Sequence, residues 1–205
     1  MGKKSIMIAV SILIVLTVAV GLWCNPFSNT GPTEAALTEE EAAKLIPTTP
    51  TNEINILSLK PYNDGLLVFY LDAPKSATAP QDFKHTDIGF AYLVKGTGGQ
   101  WKMEHSGEYG SIDAYLKKSG HGYTGEFFPS DKEGFPSIMF GIMSDPQITG
   151  LKMADLKTGE DLPVFYDEKD GLKVWHAFME KPYHESYILS SWANTKKLYA
   201  QVVRF

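Results

Sequence analysis

Glu53-Ile-Asn-Ile-Leu-Ser-Leu59, Pro61-Tyr-Asn-Asp-Gly65 and Leu66-Leu-Val-Phe-Tyr-Leu71 decide the fold class. The first run alternates apolar and polar side chains, the period of a strand with one buried face. The second gathers the residues that turn a chain, each for its own backbone reason. The third is a short, strongly apolar run rich in β-forming residues. Strand, turn and strand in this order predict a β-hairpin.

The pattern repeats downstream. After a loop at Ala73 to Phe83, Asp87-Ile-Gly-Phe-Ala-Tyr-Leu-Val94 reads as a strand, Lys95 to Gly99 as a turn, and Gln100-Trp-Lys-Met-Glu-His105 as the answering strand. Ser111 to Leu116 and Gly122 to Phe128 are further candidates. Phe135-Pro-Ser-Ile-Met-Phe-Gly-Ile-Met143 is a clearer strand, and Gln147 to Leu156 alternates. Leu162 to Tyr166 is a short strand, and Asp167 to Gly171 reads as a turn before Leu172-Lys-Val-Trp-His-Ala-Phe-Met179. Tyr187 to Trp192 and Lys197 to Arg204 form a hairpin across Ala193 to Lys196. No amphipathic pattern of helical period and twelve or more residues follows residue 52. About ten short strands near ten-residue spacing predict a mainly β chain: one antiparallel β-sandwich or barrel-like domain over 53–205.

Upstream, residues 25–52 read as a stalk with Pro26, Pro32, Pro47 and Pro50. Within it Thr38-Glu-Glu-Glu41 is a capping box, predicting a short helix over 39–46 that Pro47 ends. Eight residues form no stable helix alone, so Leu37, Leu45 and Ile46 are expected to dock on the domain.

Residues 1–24 have a different character. Lys3 and Lys4 precede the uncharged segment Ile6 to Trp23, whose 18 residues would span roughly 27 Å as a helix. Cys24 to Glu41 holds no Lys or Arg and four glutamates. The positive-inside rule then predicts a cytoplasmic N-terminus and an extracytoplasmic remainder, with Trp23 at the far interface. Three readings stay open. The segment is a retained single-pass membrane anchor, or a signal peptide cleaved after Gly21 in Ala19-Val20-Gly21, or a leader for lipidation at Cys24. Trp23 stands where a lipobox has a small residue, which leaves the third the weakest. Cleavage would turn a tethered domain into a secreted one.

Cys24 is the only cysteine, so the domain has no disulfide, a pattern common in exported bacterial domains. All 24 acidic residues follow the apolar segment, together with 17 of the 19 basic ones. No basic stripe is present, so nucleic acid and anionic lipid headgroups are poor candidate partners.

The motifs that carry chemistry are largely absent. There is no Gly-x-Ser-x-Gly elbow, no His-Glu-x-x-His, no paired Cys-x-x-Cys and no EF-hand loop. Gly96-Thr-Gly-Gly99 lacks the Lys-Ser/Thr of a phosphate loop and reads as a hairpin turn. Five histidines remain: His85, His105, His121, His176 and His184. Asp82 and Asp87 flank His85, Glu104 adjoins His105, Glu126 follows His121, and Glu180 and Glu185 lie near His184. A zinc site from His176, His184 and Glu180 is conceivable. Against it, His176 stands between Trp175 and Ala177 in an apolar strand, where alternation makes it solvent-facing or hydrogen-bonded. Asp167 to Asp170 and Ser130 to Glu133 are acidic loops, and Lys169 and Lys132 favour solvated turns over calcium sites. Trp101, Trp175, Trp192, Tyr62, Tyr92, Tyr109, Tyr123, Tyr183 and Tyr187 could form a ligand-gripping face, but core packing is the favoured reading. No catalytic, cofactor-binding or metal-ligating residue is assigned.

The run from Phe140 to Met153, the strand from Leu172 to Phe178 and the closing Trp192-Ala-Asn-Thr-Lys-Lys-Leu-Tyr199 resemble the second half of small membrane-anchored or secreted proteins of Gram-positive bacteria. The likeness covers residues 139–200. Those proteins often read Gly-Ile-Ile-x-Asp-x-x-Ile, then a Trp-aromatic strand, then a closing Lys-x-Leu-Tyr. Here Asn194-Thr195 stands where a glycine turn is usual. The resemblance implies an exported domain and brings no catalytic residues with it. The expected function is therefore non-enzymatic: a membrane-anchored extracytoplasmic β-domain that binds a protein or an envelope component. The alternative is an envelope hydrolase or metal-dependent enzyme using His and Asp/Glu residues.

Overall fold

A computed structural model describes residues 37–76, 86–110, 120–131, 135–169, 171–179 and 186–204. The apolar segment 6–23, the Gly21 junction, Cys24 and the strand expected at 111–116 lie outside these residues. Among the described residues no helix is long and apolar enough to cross a membrane. The chain divides into a unit ending at Leu37 and a second unit, Thr38–Phe205, to which everything below refers.

Among its described residues the second unit holds one helix, α1 (Glu39–Leu45), and the strands β1 (Asn52–Tyr62), β2 (Gly65–Pro74), β3 (Asp87–Lys95), β4 (Trp101–Tyr109), β5 (Glu126–Phe128) and β6 (Ser137–Met143). β7 (Gly150–Asp155), β8 (Asp161–Leu162), β9 (Phe165–Lys169), β10 (Leu172–Met179), β11 (Ser186–Ala193) and β12 (Lys196–Arg204) follow. The chain is mainly β, as expected, but it does not form a single sandwich or barrel. It builds three four-stranded antiparallel sheets: sheet A ordered β1-β2-β3-β4, sheet B ordered β5-β6-β10-β9, and sheet C ordered β12-β11-β7-β8.

Side-chain alternation shows how they stack. From β6, Ile138, Phe140 and Ile142 join Phe69, Phe90 and Tyr109 of sheet A in one core. The intervening Met139 and Met143 join Leu151 and Met153 of β7 and Tyr187 and Leu189 of β11 in a second core. β10 divides the same way, with Leu172 and Val174 toward A and Trp175, Ala177 and Met179 toward C. Sheet B is therefore the middle layer, buried on both faces, and every residue of β6 is buried. This accounts for the unbroken apolar run of that strand, since a sheet without a solvent face needs no polar alternate positions.

The turns follow local chemistry. Asn63 and Asn194 take positive φ of 51° and 52° in two-residue hairpin loops, a conformation asparagine tolerates. Asn194 thus fills the place where a glycine was expected. Pro61 lies inside β1, which is an edge strand and can spare a donor. Two expectations are corrected. The single strand expected at 162–166 is split around Pro163 and Val164 into β8 of sheet C and β9 of sheet B. Asp167 to Lys169, expected in a turn, belongs to β9, and Lys169 pairs with Leu172.

α1 begins with the expected capping box: Glu41 N–H donates to Thr38 Oγ1 at 3.2 Å, and Thr38 N–H donates to Glu41 Oε2 at 2.9 Å. The helix packs on β1 and β4, the flanks of sheet A, and so lies across the face that sheet B leaves open. Ala42 and Ile46 are buried, as are the outward-facing Val68, Ala91 and Leu93. Seven residues hold as a helix here because they belong to the folded unit.

Trp175 is the largest fully buried side chain. It sits opposite Gly141 on β6. A Cβ at Gly125 would lie 2.5 Å from the Trp175 ring, and one at Gly141 would lie 2.0 Å from the Thr124 carbonyl oxygen. The indole thus occupies the space that the missing Gly125 side chain leaves, and the Thr124–Gly125 backbone occupies that left at Gly141. Replacing Gly141 with Ala pushes a methyl into backbone and should destabilise the unit by about 3 kcal/mol or more. A urea-unfolding midpoint unchanged in Gly141→Ala would refute this packing.

Candidate functional site

The three described histidines lie apart. His176 of β10 faces sheet A, with ring neighbours Phe69 at 4.7 Å, Phe165 at 5.3 Å and Phe178 at 5.3 Å. His105 of β4 meets Phe90 and Phe135, and His121 meets Tyr123 and Tyr199. No two of them share a ring neighbour. The zinc set His176, His184 and Glu180 is not testable as a set, since residues 180–185 lie outside the described residues, as does His85. Among the described residues no group of three His, Cys, Asp or Glu side chains could hold a metal ion.

His176 departs from its expected setting. It is 4% exposed, and its Nδ1 has no hydrogen-bond partner. Alternation along β10 does turn it away from Trp175, but sheet B has no solvent side, so it turns into the other core. Burial pushes its pKa down to about 4, against the pull of Asp167 and with the help of Lys60. The acidic run 167–169 is strand rather than loop. Asp167 faces sheet A and pairs with Lys60 of β1, while Glu168 lies 3.8 Å from Lys173. Lys169 bonds Glu39 of α1 and the Ile56 carbonyl at 2.9 Å. These contacts close the edge between sheets A and B and leave no calcium-binding loop there. In the other acidic stretch, Ser130 is buried and its N–H donates to Ser137 Oγ at 3.0 Å; Lys132 and Glu133 lie outside the described residues.

Gly96 to Gly99 forms the expected hairpin turn, with Gly96 N–H donating to the Gln100 carbonyl at 2.8 Å. It borders an open cleft of about 550 Å³ lined by Asp64, Tyr92, Lys95, Gln100, Lys102 and Glu104 among others. The polar groups there satisfy one another: Tyr92 OH donates to Asp64 Oδ1 at 2.7 Å, and Lys102 lies 2.9 Å from Glu104. On the outer face of sheet A, Tyr70 OH donates to Glu108 Oε2 at 3.2 Å. Burial, reinforced by Asp87 and Asp72 and opposed by the Tyr70 bond, raises the Glu108 pKa.

The tryptophans separate into one core residue and two surface residues. Trp175 is buried, whereas Trp101 and Trp192 are half-buried beneath lysines. Lys95 stands 5.4 Å from the Trp101 ring, and Lys152 and Lys197 stand 4.8 and 5.7 Å from the Trp192 ring. Trp192 lies on the outer face of sheet C and is held there by its Nε1 donating to Ser190 Oγ at 3.0 Å.

Cross-strand pairing sets out this face. Ile188 is flanked by Val202 and Ala154, Ser190 by Ala200 and Lys152, and Trp192 by Lys197 and Gly150, with Arg204 beside Ser186. None of Lys152, Lys197 and Arg204 pairs with a carboxylate among the described residues. Asp161, opposite Ala154 on β8, is the nearest acid in register. Two cations, Lys152 and Lys197, thus stand at one indole, and Arg204 lies at the far end of the same face, a grouping that net charge conceals. β12 pairs with β11 alone, and its other edge is unpaired among the described residues. Between Lys197 and Arg204 that edge carries Leu-Tyr-Ala-Gln-Val-Val, without a charge or a proline, and Tyr199 and Val202 are exposed.

No protein-family model matches the chain, and no curated protein or solved structure is found to be similar to it.

The buried imidazole makes a prediction about pH. His176 has a native pKa near 4 and an unfolded value near 6.5. The unfolded chain therefore takes up a proton that the native state refuses. Stability is fully present above pH 6.5 and is lost as pH falls toward 4, by about 3 kcal/mol at most. His176→Phe, which suits the phenyl surroundings, should gain stability over the parent across that window. Urea titrations at pH 7 and pH 4.5 giving the same difference between the two chains would overturn the assignment.

Proposed function

We propose that this chain is a non-enzymatic binding protein, held at the membrane by the apolar segment 6–23, with Lys3 and Lys4 on the cytoplasmic side and an extracytoplasmic β unit. The unit engages a protein or envelope component through the outer face of sheet C. The observation that carries this reading is the outer face of sheet C, where Lys152 and Lys197 flank Trp192 and Arg204 stands at the far end, none of the three with an acidic partner among the described residues. Tryptophan and arginine are among the residue types enriched in binding surfaces, whereas lysine is not. The membrane placement rests on the sequence, where charge-free length and flanking lysines agree. The resemblance of residues 139–200 to exported Gram-positive proteins supports the same side.

Cleavage after Gly21 would release the unit without changing its compartment or its binding face. An envelope hydrolase using His and Asp/Glu finds less support, because His105, His121 and His176 are each surrounded by rings with no shared neighbour.

Two measurements on cells expressing the full chain test this. Fractionation followed by N-terminal sequencing should find the Met1 end in the membrane fraction; Leu22 as first residue in the medium would replace tether by secretion. A photo-reactive residue at position 192 should give an envelope adduct that the same residue at the exposed Leu156 does not. Lys152→Glu with Lys197→Glu should abolish it. Equal adducts at both positions, or none at 192, would sink the proposal.

A further inference from the structure

We infer that the partner of sheet C is an extended polypeptide segment with acidic ends, which adds to the open edge of β12 as a fifth strand. This rests on the reading of sheet C as the binding layer and narrows it to one kind of ligand.

Three observations carry it. First, β12 is nine residues long and is the terminal strand of its sheet among the described residues. An open edge exposes alternate N–H and C=O groups that another strand can use. Proteins usually blunt such an edge with internal charges, prolines or shortness. Leu198 to Val203 has none of these, and its one irregularity is a bulge at Leu198, near the lysine end of the strand. The other edges are treated differently: β8 has two residues and β5 three, β1 contains Pro61, β4 carries Lys102, Glu104 and Glu108, and β9 is engaged through Lys169 and Tyr166 to its neighbours.

Second, the charges stand at the two ends. Lys196 and Lys197 open the strand and Arg204 closes it. A nine-residue antiparallel partner places its own ends opposite these cations. Cross-strand pairs of opposite charge are favourable and like charges directly opposite are not. The apolar middle specifies an uncharged, β-forming centre, and Trp192 with Lys152 adds an aromatic and cationic shelf beside it.

Third, the same charges act against self-association. Antiparallel pairing of two copies along β12 brings the Lys196–Lys197 end of each strand against Arg204 of the other, and does so twice. The edge is thus open to a foreign strand of complementary charge and poorly matched to itself.

The test uses the full chain in detergent micelles and two synthetic peptides. One reads Glu-Glu-Val-Thr-Val-Thr-Val-Glu-Glu and the other has Lys in place of each Glu. Fluorescence anisotropy should show the acidic peptide binding about tenfold tighter, the difference expected from two cross-strand charge pairs. Hydrogen exchange should show new protection confined to β12. Lys196→Glu with Arg204→Glu, both exposed substitutions that leave the core intact, should reverse the preference. Binding of both peptides alike, protection elsewhere, or an unreversed preference would overturn the inference. So would a β12-mediated dimer of the chain alone by sedimentation. If adducts at position 192 persist while neither peptide binds, the strand assignment falls and the binding face stands. If both fail, the reading of sheet C falls as well.

Discussion

Two-sided burial of sheet B is the constraint on which the rest of the unit depends. A strand between two cores can carry no unsatisfied polar atom cheaply, and no side chain larger than its gap. The contact around Trp175 meets both demands. Gly125 leaves room for the indole, Gly141 leaves room for the Thr124–Gly125 backbone, and the indole Nε1 donates to the Thr124 carbonyl at 2.7 Å. The Thr124 side chain works toward the other core. Its Oγ1 accepts from Ile142 N–H at 3.1 Å and shares a 2.7 Å hydrogen bond with Tyr109 OH of sheet A. One residue thus ties β6, β10 and β4 together. The polar atoms of Trp175 and Thr124 are thereby satisfied within the protein.

β9 extends the same logic to an edge. Successive side chains of a strand point to opposite faces, so β9 serves both neighbours. Lys169 bonds the β1 backbone on the A side, and Tyr166 bonds both the N–H and the carbonyl of Leu151 in β7 on the C side. Buried polar atoms that lack such a partner are few: His176 Nδ1 and Asp167 Oδ2 toward sheet A, Tyr123 OH and Ser191 Oγ toward sheet C. Each costs on the order of 1–3 kcal/mol when truly desolvated. The stack tolerates them because a disulfide-free core of this size draws its stability from apolar contact on both sides of sheet B.

Individual strands were legible in the sequence because alternation and turn residues are local. Asn63, Asn194 and Gly171 take positive φ where hairpin loops were expected. The capping box at Thr38 and Glu41 was equally local. The layer count was not legible, because a sandwich and a three-layer stack use the same strands. The one hint was the unbroken apolar run of β6, which a half-exposed strand would not have. His176 shows the consequence. Alternation correctly turns it away from Trp175, but the environment it turns into depends on a third sheet that its own sequence neighbourhood does not contain. The candidate face on sheet C was hidden for the same reason. Lys152, Trp192 and Lys197 belong to three strands, and only the register brings them together.

The stack also decides which surface is free to bind. α1 lies over the outer face of sheet A, and sheet B has no outer face, so the outer face of sheet C is the broad one left uncovered among the described residues. β12 contributes only the partly buried Leu198 and Val203 to the core. Its hydrogen bonds run to β11, and the β11 inward residues Tyr187 and Leu189 carry the packing. Pairing at the open edge would therefore order no core side chain and disturb no layer. The entropy lost on binding would fall mainly on the incoming segment, which lowers the affinity reached for a given area. Such an edge suits a reversible contact whose selectivity comes from charge at the strand ends.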